Sequence, residues 1–205
     1  MNYILAFLIF SGVIATGHAL KCVTCKVIQP GRTLNDCDGE IEECDKNTYK
    51  CATQIEQNSV DGDIITTVKK GCFPVDYKDY CGHRFELNAG KGFYLSVFSK
   101  CCDKTDGCNK DPIQMPAGNT IPNGFKCPVC FKQNSDTCTP TKQECVGDQL
   151  QCINYSGLAA RPGEMAMDYA IQGCLTEYAC MLNFGGLPGS QVLSKHYTCT
   201  LLPSP

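Results

Sequence analysis

Eight cysteines recur twice along this chain at nearly the same spacing, and no other feature restricts its fold as strongly. The first set is Cys22, Cys25, Cys37, Cys44, Cys51, Cys72, Cys81 and Cys101, at intervals of 3, 12, 7, 7, 21, 9 and 20 residues. The second is Cys127, Cys130, Cys138, Cys145, Cys152, Cys174, Cys180 and Cys199, at intervals of 3, 8, 7, 7, 22, 6 and 19. Three intervals are identical and none of the others differs by more than 4, which marks a tandem duplication of one cysteine-built module.

A total of 18 cysteines needs an oxidising compartment to pair them. Residues 1–19 supply a route to one: an apolar run from Tyr3 to Phe10, then small residues with Gly17 and Ala19 placed for cleavage before Leu20. The expectation is a secreted, extracellular protein with no stable membrane anchor, because the chain closes on Leu201, Leu202, Pro203, Ser204 and Pro205 without a hydrophobic tail. The formal charge is −3 with Lys and Arg dispersed, which gives nucleic acid no basic stripe to read. Each repeat is about 80 to 95 residues long and tryptophan is absent, so neither half can build a large core and disulfides must supply much of the stability.

The first module is expected over residues 20–111 and the second over 125–205. Residues 112–124, which bear Pro112, Pro116 and Pro122, show neither helical nor alternating period and are expected to be the linker. Runs at 53–57 and 64–68 flank Asp61-Gly62, a strong hairpin signal. In the second module 152–155 and 167–171 flank Ala160, Arg161, Pro162 and Gly163 in the corresponding place. Residues 93–98 form the clearest single strand. No window holds a 3.6-residue period, so the fold class is all-β and disulfide-rich.

The first module ends on a doubled cysteine, Cys101-Cys102, then Asp103, Lys104, Thr105, Asp106, Gly107, Cys108 and Asn109. With Cys22 and Cys25 at its start, this order resembles the three-finger domain of lymphocyte-antigen and urokinase-receptor proteins. Eight cysteines alone allow 105 pairings. The resemblance implies Cys22/Cys51, Cys25/Cys37, Cys44/Cys72, Cys81/Cys101 and Cys102/Cys108, with Asn109 as a structural residue. Carried to the second module it implies Cys127/Cys152, Cys130/Cys138, Cys145/Cys174 and Cys180/Cys199, leaving no free thiol. The second module departs from the pattern, since it lacks the doubled cysteine and the terminal Cys-Asn.

A complete module followed by a shortened one is similar to the gamma class of secreted phospholipase A2 inhibitors. The residues that carry this are 121–128, Cys152-Ile153-Asn154, and 168–174. The resemblance implies two tandem three-finger domains, no catalysis, no cofactor, and a secreted phospholipase A2 as protein partner, inhibited by occlusion of its lipid-facing entrance. It also implies possible self-association as a homo-oligomer, and contact through the proline-bearing hydrophobic segment at Ile121, Pro122 and Phe125. A secreted three-finger ligand or modulator of a receptor or ion channel is the competing reading, because one fold hosts both. In either case the disulfides clamp one end of each module and leave the fingertips as the expected variable, binding-competent loops.

Other patterns carry less chemistry. Cys22-Val23-Thr24-Cys25 and Cys127-Pro128-Val129-Cys130 have the C-x-x-C form, but a redox site needs a βαβ setting, and a zinc site would strand other cysteines. The doubled-cysteine stretch holds no histidine to activate water, and the mature histidines, His83 and His196, lie far apart in the cysteine framework. Asp36, Asp38, Glu40, Glu42, Glu43 and Asp45 crowd one segment; Gly39 comes too early for a calcium loop, so no metal is expected. That segment reads as a solvated acidic finger, with Asp38, Glu40 and Glu42 as candidates for steering a basic partner. Asn154-Tyr155-Ser156 is a glycosylation sequon on a middle finger.

Overall fold

A computed structural model describes residues 19–45, 48–74, 80–182 and 190–201. The leader expected over 1–19 lies, apart from Ala19, outside the described residues. Eleven strands follow in order: β1 (Lys21–Pro30), β2 (Glu40–Glu43), β3 (Thr48–Val60), β4 (Asp63–Pro74), β5 (Arg84–Asn88), β6 (Phe93–Cys102), β7 (Pro122–Gln133), β8 (Thr141–Val146), β9 (Gln151–Ala160), β10 (Met167–Leu175) and β11 (Gln191–Leu201). A 3-10 turn lies at Ala179–Leu182. These strands pair with one another antiparallel throughout, with one isolated parallel bridge from Cys81 to Ser99 of β6, and nine disulfides join the cysteines as Cys22–Cys51, Cys25–Cys37, Cys44–Cys72, Cys81–Cys101, Cys102–Cys108, Cys127–Cys152, Cys130–Cys138, Cys145–Cys174 and Cys180–Cys199.

The central hairpin of the first module shows how sequence sets geometry. Asp61 and Gly62 both adopt positive φ, 48° and 94°, the pair of left-handed residues that a two-residue type I′ turn requires. That turn fixes the register of β3 on β4, from Val60 opposite Asp63 to Cys51 opposite Cys72. Because side chains alternate between faces, Val27, Val68, Ile55 and Phe98 form one row across β1, β4, β3 and β6. Residues of the expected linker cover this row. Ile113 is buried there, Met115 packs beside it, and the Ile113 amide donates to the Asn35 carbonyl at 3.0 Å. The segment is therefore a strap laid on the first module, and its last residues, from Pro122, already belong to β7.

The opposite face of the same sheet meets the second module. Val60, Phe85, Leu87, Phe93 and Leu95 share one core with Ile153, Tyr155, Ala159, Tyr169, Ile171 and Leu175. Phe131 bridges them, its ring 5.5 Å from that of Phe93 and 6.3 Å from that of Tyr169. The backbone also crosses the seam, where β10 pairs with β5 through Cys174 opposite Asn88 and Leu175 opposite Leu87. Two modules too small for large separate cores thus pool one, and their strands join in a single sheet ordered β11-β9-β10-β5-β6-β3-β4-β1-β2, with β7 and β8 branching from β10.

One fingertip does not stand free as the sequence suggests. The Asp61 carboxylate accepts from the Gln133 side chain at 3.4 Å, and buried Arg161 donates to the Asp63 carbonyl at 3.3 Å. The tip of the first module's middle finger is thereby docked on the second module. Its variability is limited by contacts the sequence does not display.

Candidate binding surface

The two groups of partner-binding candidates fall far apart. Asp38, Glu40 and Glu42 are exposed, the glutamates on β2 at one edge of the sheet with Ile41, 59% exposed, between them. Lys21 lies 4.0 Å from Glu43, so the acidic edge is partly neutralised at one end. Gly39 is required for this hairpin because a Cβ there would run into the carbonyl of Thr24. Ile121, Pro122 and Phe125 sit at the start of β7, and along the path of the sheet six strands separate β7 from β2. At the usual strand spacing that is on the order of 30 Å, too far for the two groups to form one patch.

Within the second group the three residues differ. Ile121 is 70% exposed, and its backbone is held on both sides: its amide donates to Asn119 Oδ1 at 3.0 Å and its carbonyl accepts from Gly147 at 2.9 Å. Pro122 is exposed as well. Phe125 instead packs on the cystine cluster of Cys127, Cys145, Cys152 and Cys174, so part of its ring is committed to the fold.

Beside Ile121 lies a cleft of about 640 Å³ between the modules, lined by His83, Arg84, Glu86, the strap at 117–119, Asp148, and the turn at 176–178. Its back wall is a closed polar network. The Arg84 guanidinium binds the Glu86 carboxylate, the Pro116 carbonyl and, at 2.6 Å, the Tyr94 hydroxyl, which in turn donates to Glu86. Burial first, then the hydrogen bond to Glu86 and its negative charge, push the Tyr94 phenol up to about 12, against the opposing pull of Arg84. The Glu86 amide donates to Thr176 Oγ1 at 2.9 Å, so this network also ties the modules together. Glu177 and Tyr178 are consecutive, but nothing in the local sequence marks Asp148 as their neighbour; the fold of the second module brings it there, and the seam sets all three opposite His83, Arg84 and Glu86 of the first.

The remaining candidates have plain positions. Asn109 is buried; its Oδ1 accepts from the Val23 amide at 2.9 Å, and its Nδ2 donates to the carbonyls of Val23 at 2.9 Å and Ala52 at 3.2 Å. Asn154 is exposed on β9, between two buried neighbours that face the core, Ile153 and Tyr155. His83 lines the cleft and His196 lies on β11 in the other module. Two trios of sulfurs, Cys22, Cys44 and Cys72, and Cys127, Cys145 and Cys174, gather within 4.8 Å. Each of these sulfurs is already bonded in a disulfide, so the trios offer a metal no thiolate.

Comparison with known proteins fits this architecture. The family model for the u-PAR/Ly-6 domain matches residues 18–111 and again 123–201. The chain is 28% identical over 145 residues to phospholipase A2 inhibitor gamma subunit A1 of Trimerodytes annularis, covering 69% of this chain and 76% of that one. It is 29% identical over 135 residues to protein RoBo-1 of Rattus norvegicus and 31% identical over 135 residues to CD177 antigen of Mus musculus. Those matches cover 64% and 63% of this chain but only 53% and 15% of the two relatives. Among solved structures, mouse TEX101 aligns over 88% of this chain and 97% of its own at 20% identity, with a TM-score of 0.40. With nine disulfides, an all-antiparallel fold and the domain model matched in both halves, the chain belongs to the u-PAR/Ly-6 domain family and is similar to the gamma-class phospholipase A2 inhibitors.

Proposed function

We propose that this protein is a secreted, non-enzymatic binding protein that inhibits a secreted phospholipase A2 by covering the enzyme's lipid-facing entrance. The observation that carries the reading is the likeness to the inhibitor subunit across 69% of this chain and 76% of that subunit's length. The architecture supports it: a body closed by nine disulfides and one shared core presents its surface with little conformational freedom left to lose on binding. Occlusion asks only for such a surface, and Ile121 and Pro122 give it an exposed apolar element on a hydrogen-bonded frame.

The similar level of identity to RoBo-1 and CD177 antigen favours a second reading, a secreted ligand or modulator of a receptor. One experiment separates them. The oxidised chain from residue 20 is titrated against a panel of secreted phospholipases A2, with calorimetry and lipid hydrolysis followed in parallel. Submicromolar binding with loss of hydrolysis supports the inhibitor reading; a correctly folded sample that binds none of the panel refutes it and turns the search to receptors.

A further inference from the structure

The geometry points to the cleft between the modules as a docking site for a basic loop of a partner protein, with a lysine or arginine side chain inserted between Asp148 and Glu177 and flanked by Tyr178. The ionisable groups that face the opening are His83, Arg84, Glu86, Asp148 and Glu177. Arg84 is spent on Glu86, Tyr94 and the strap, so that pair cancels. The carboxylates of Asp148 and Glu177 make no ion pair or hydrogen bond among the described residues, which leaves the cleft with an uncompensated negative charge. The backbone sets them side by side, because the Glu177 amide donates to the Asp148 carbonyl at 3.0 Å.

One exposed aromatic side chain of the lining flanks this charge, and an exposed apolar one lies next along the strap. Tyr178, 61% exposed, is held at a φ of 63°, a left-handed conformation that a bulky residue adopts only where its surroundings enforce it. Ile121 hangs from Asn119 and Gly147 on the adjoining rim. An aromatic face beside paired carboxylates is the chemistry that receives a guanidinium or ammonium group. The walls mix apolar and polar surface, as a site for a side chain with a long apolar stem and a charged head requires, and the volume accepts several side chains. The β2 edge is acidic too, but it is an outer strand exposed along its whole length and Lys21 faces it, so it serves encounter rather than seating.

The assignment deepens the inhibitor reading in the sense that the partner enzyme would present the basic loop, but its test does not depend on any phospholipase. The isotope-labelled full mature chain is titrated by NMR with a disulfide-closed peptide loop bearing arginine and lysine, and with the same loop bearing glutamate. Saturable shifts at 147–149 and 176–178 with the basic loop only, weakened about tenfold in the Asp148→Asn, Glu177→Gln double variant and about threefold in Tyr178→Ala, are the expected result. The absence of saturable shifts there, equal response to both loops, or stronger shifts at residues 40–43 would overturn the assignment. A chain that passes this test yet binds no phospholipase loses the inhibitor reading and keeps the site.

Discussion

Single side chains do much of the closing in this fold, at the strand ends where backbone groups run out of ladder partners. Asn109 is the clearest case: one amide satisfies the Val23 amide and carbonyl and the Ala52 carbonyl, stitching β1 to β3 at the point where the first module's chain departs. Asn109→Ala strands those buried groups, and we expect a loss of about 3 kcal/mol in chemical denaturation of the oxidised protein. An unchanged midpoint would mean that water replaces the amide. Tyrosines supply a second residue-scale effect. Tyr155 is buried in the shared core, and burial raises its phenol to about 12; Tyr94 reaches a similar value at the cleft. Folding thus favours the protonated phenol, so this contribution is complete below the ordinary tyrosine value near 10 and is lost as pH rises from there toward 12. Stability should fall across that window, and a spectrophotometric titration should show tyrosines ionising late until the fold opens. If all tyrosines ionise together near their ordinary value in the folded protein, the burial argument fails.

At the level of strands, the chain is legible wherever local chemistry dictates structure. Asp61-Gly62 announces its hairpin, residues 93–98 announce β6, and the missing 3.6-residue period excludes long helices. The seam between modules is different in kind. Leu87, Leu95 and Ile171 read only as inward-facing strand residues, and nothing local says that their partners belong to the other module. The cleft is illegible for the same reason, since its lining comes from four separate stretches of chain. Ile121 is a candidate because the family resemblance points to its proline-bearing segment, whereas no pattern in the sequence points to Tyr178. Glycine 173 marks the seam once the structure is known: a Cβ there would strike the Asn88 carbonyl and sit 3.1 Å from Ala89 Cα on the opposite module. The obstruction is backbone, so Gly173→Ala must push β10 away from β5. We expect it to destabilise the protein by about 2 kcal/mol and to raise hydrogen exchange at residues 86–88 and 174–176 before other strands. Uniform exchange across the sheet would show that the β5 to β10 pairing does not hold the modules together.

For the molecule as a whole, the decisive question is whether two repeats make two domains or one. Tandem duplication suggests two independent bodies on a linker, but a pooled core, a continuous sheet, a docked fingertip and a strap with Ile113 buried against the first module join them. Disulfides confine each module's unfolded chain, typically contributing about 2 to 4 kcal/mol each, yet none of the nine crosses the seam. Cohesion between modules therefore rests on packing and hydrogen bonds alone. Phe131 tests this because it belongs to the second module but stacks on Phe93 of the first. It is partly buried, so Phe131→Ala should cost about 2 kcal/mol, below the range of about 3 to 5 kcal/mol for fully buried aromatic side chains. If the protein unfolds as one unit, that loss must appear equally in amides of β3 and of β9, which lie in different modules, and one calorimetric transition should shift without splitting. Two transitions, with β3 unaffected by the change, would establish that the modules unfold separately and that the seam only forms once each is already folded.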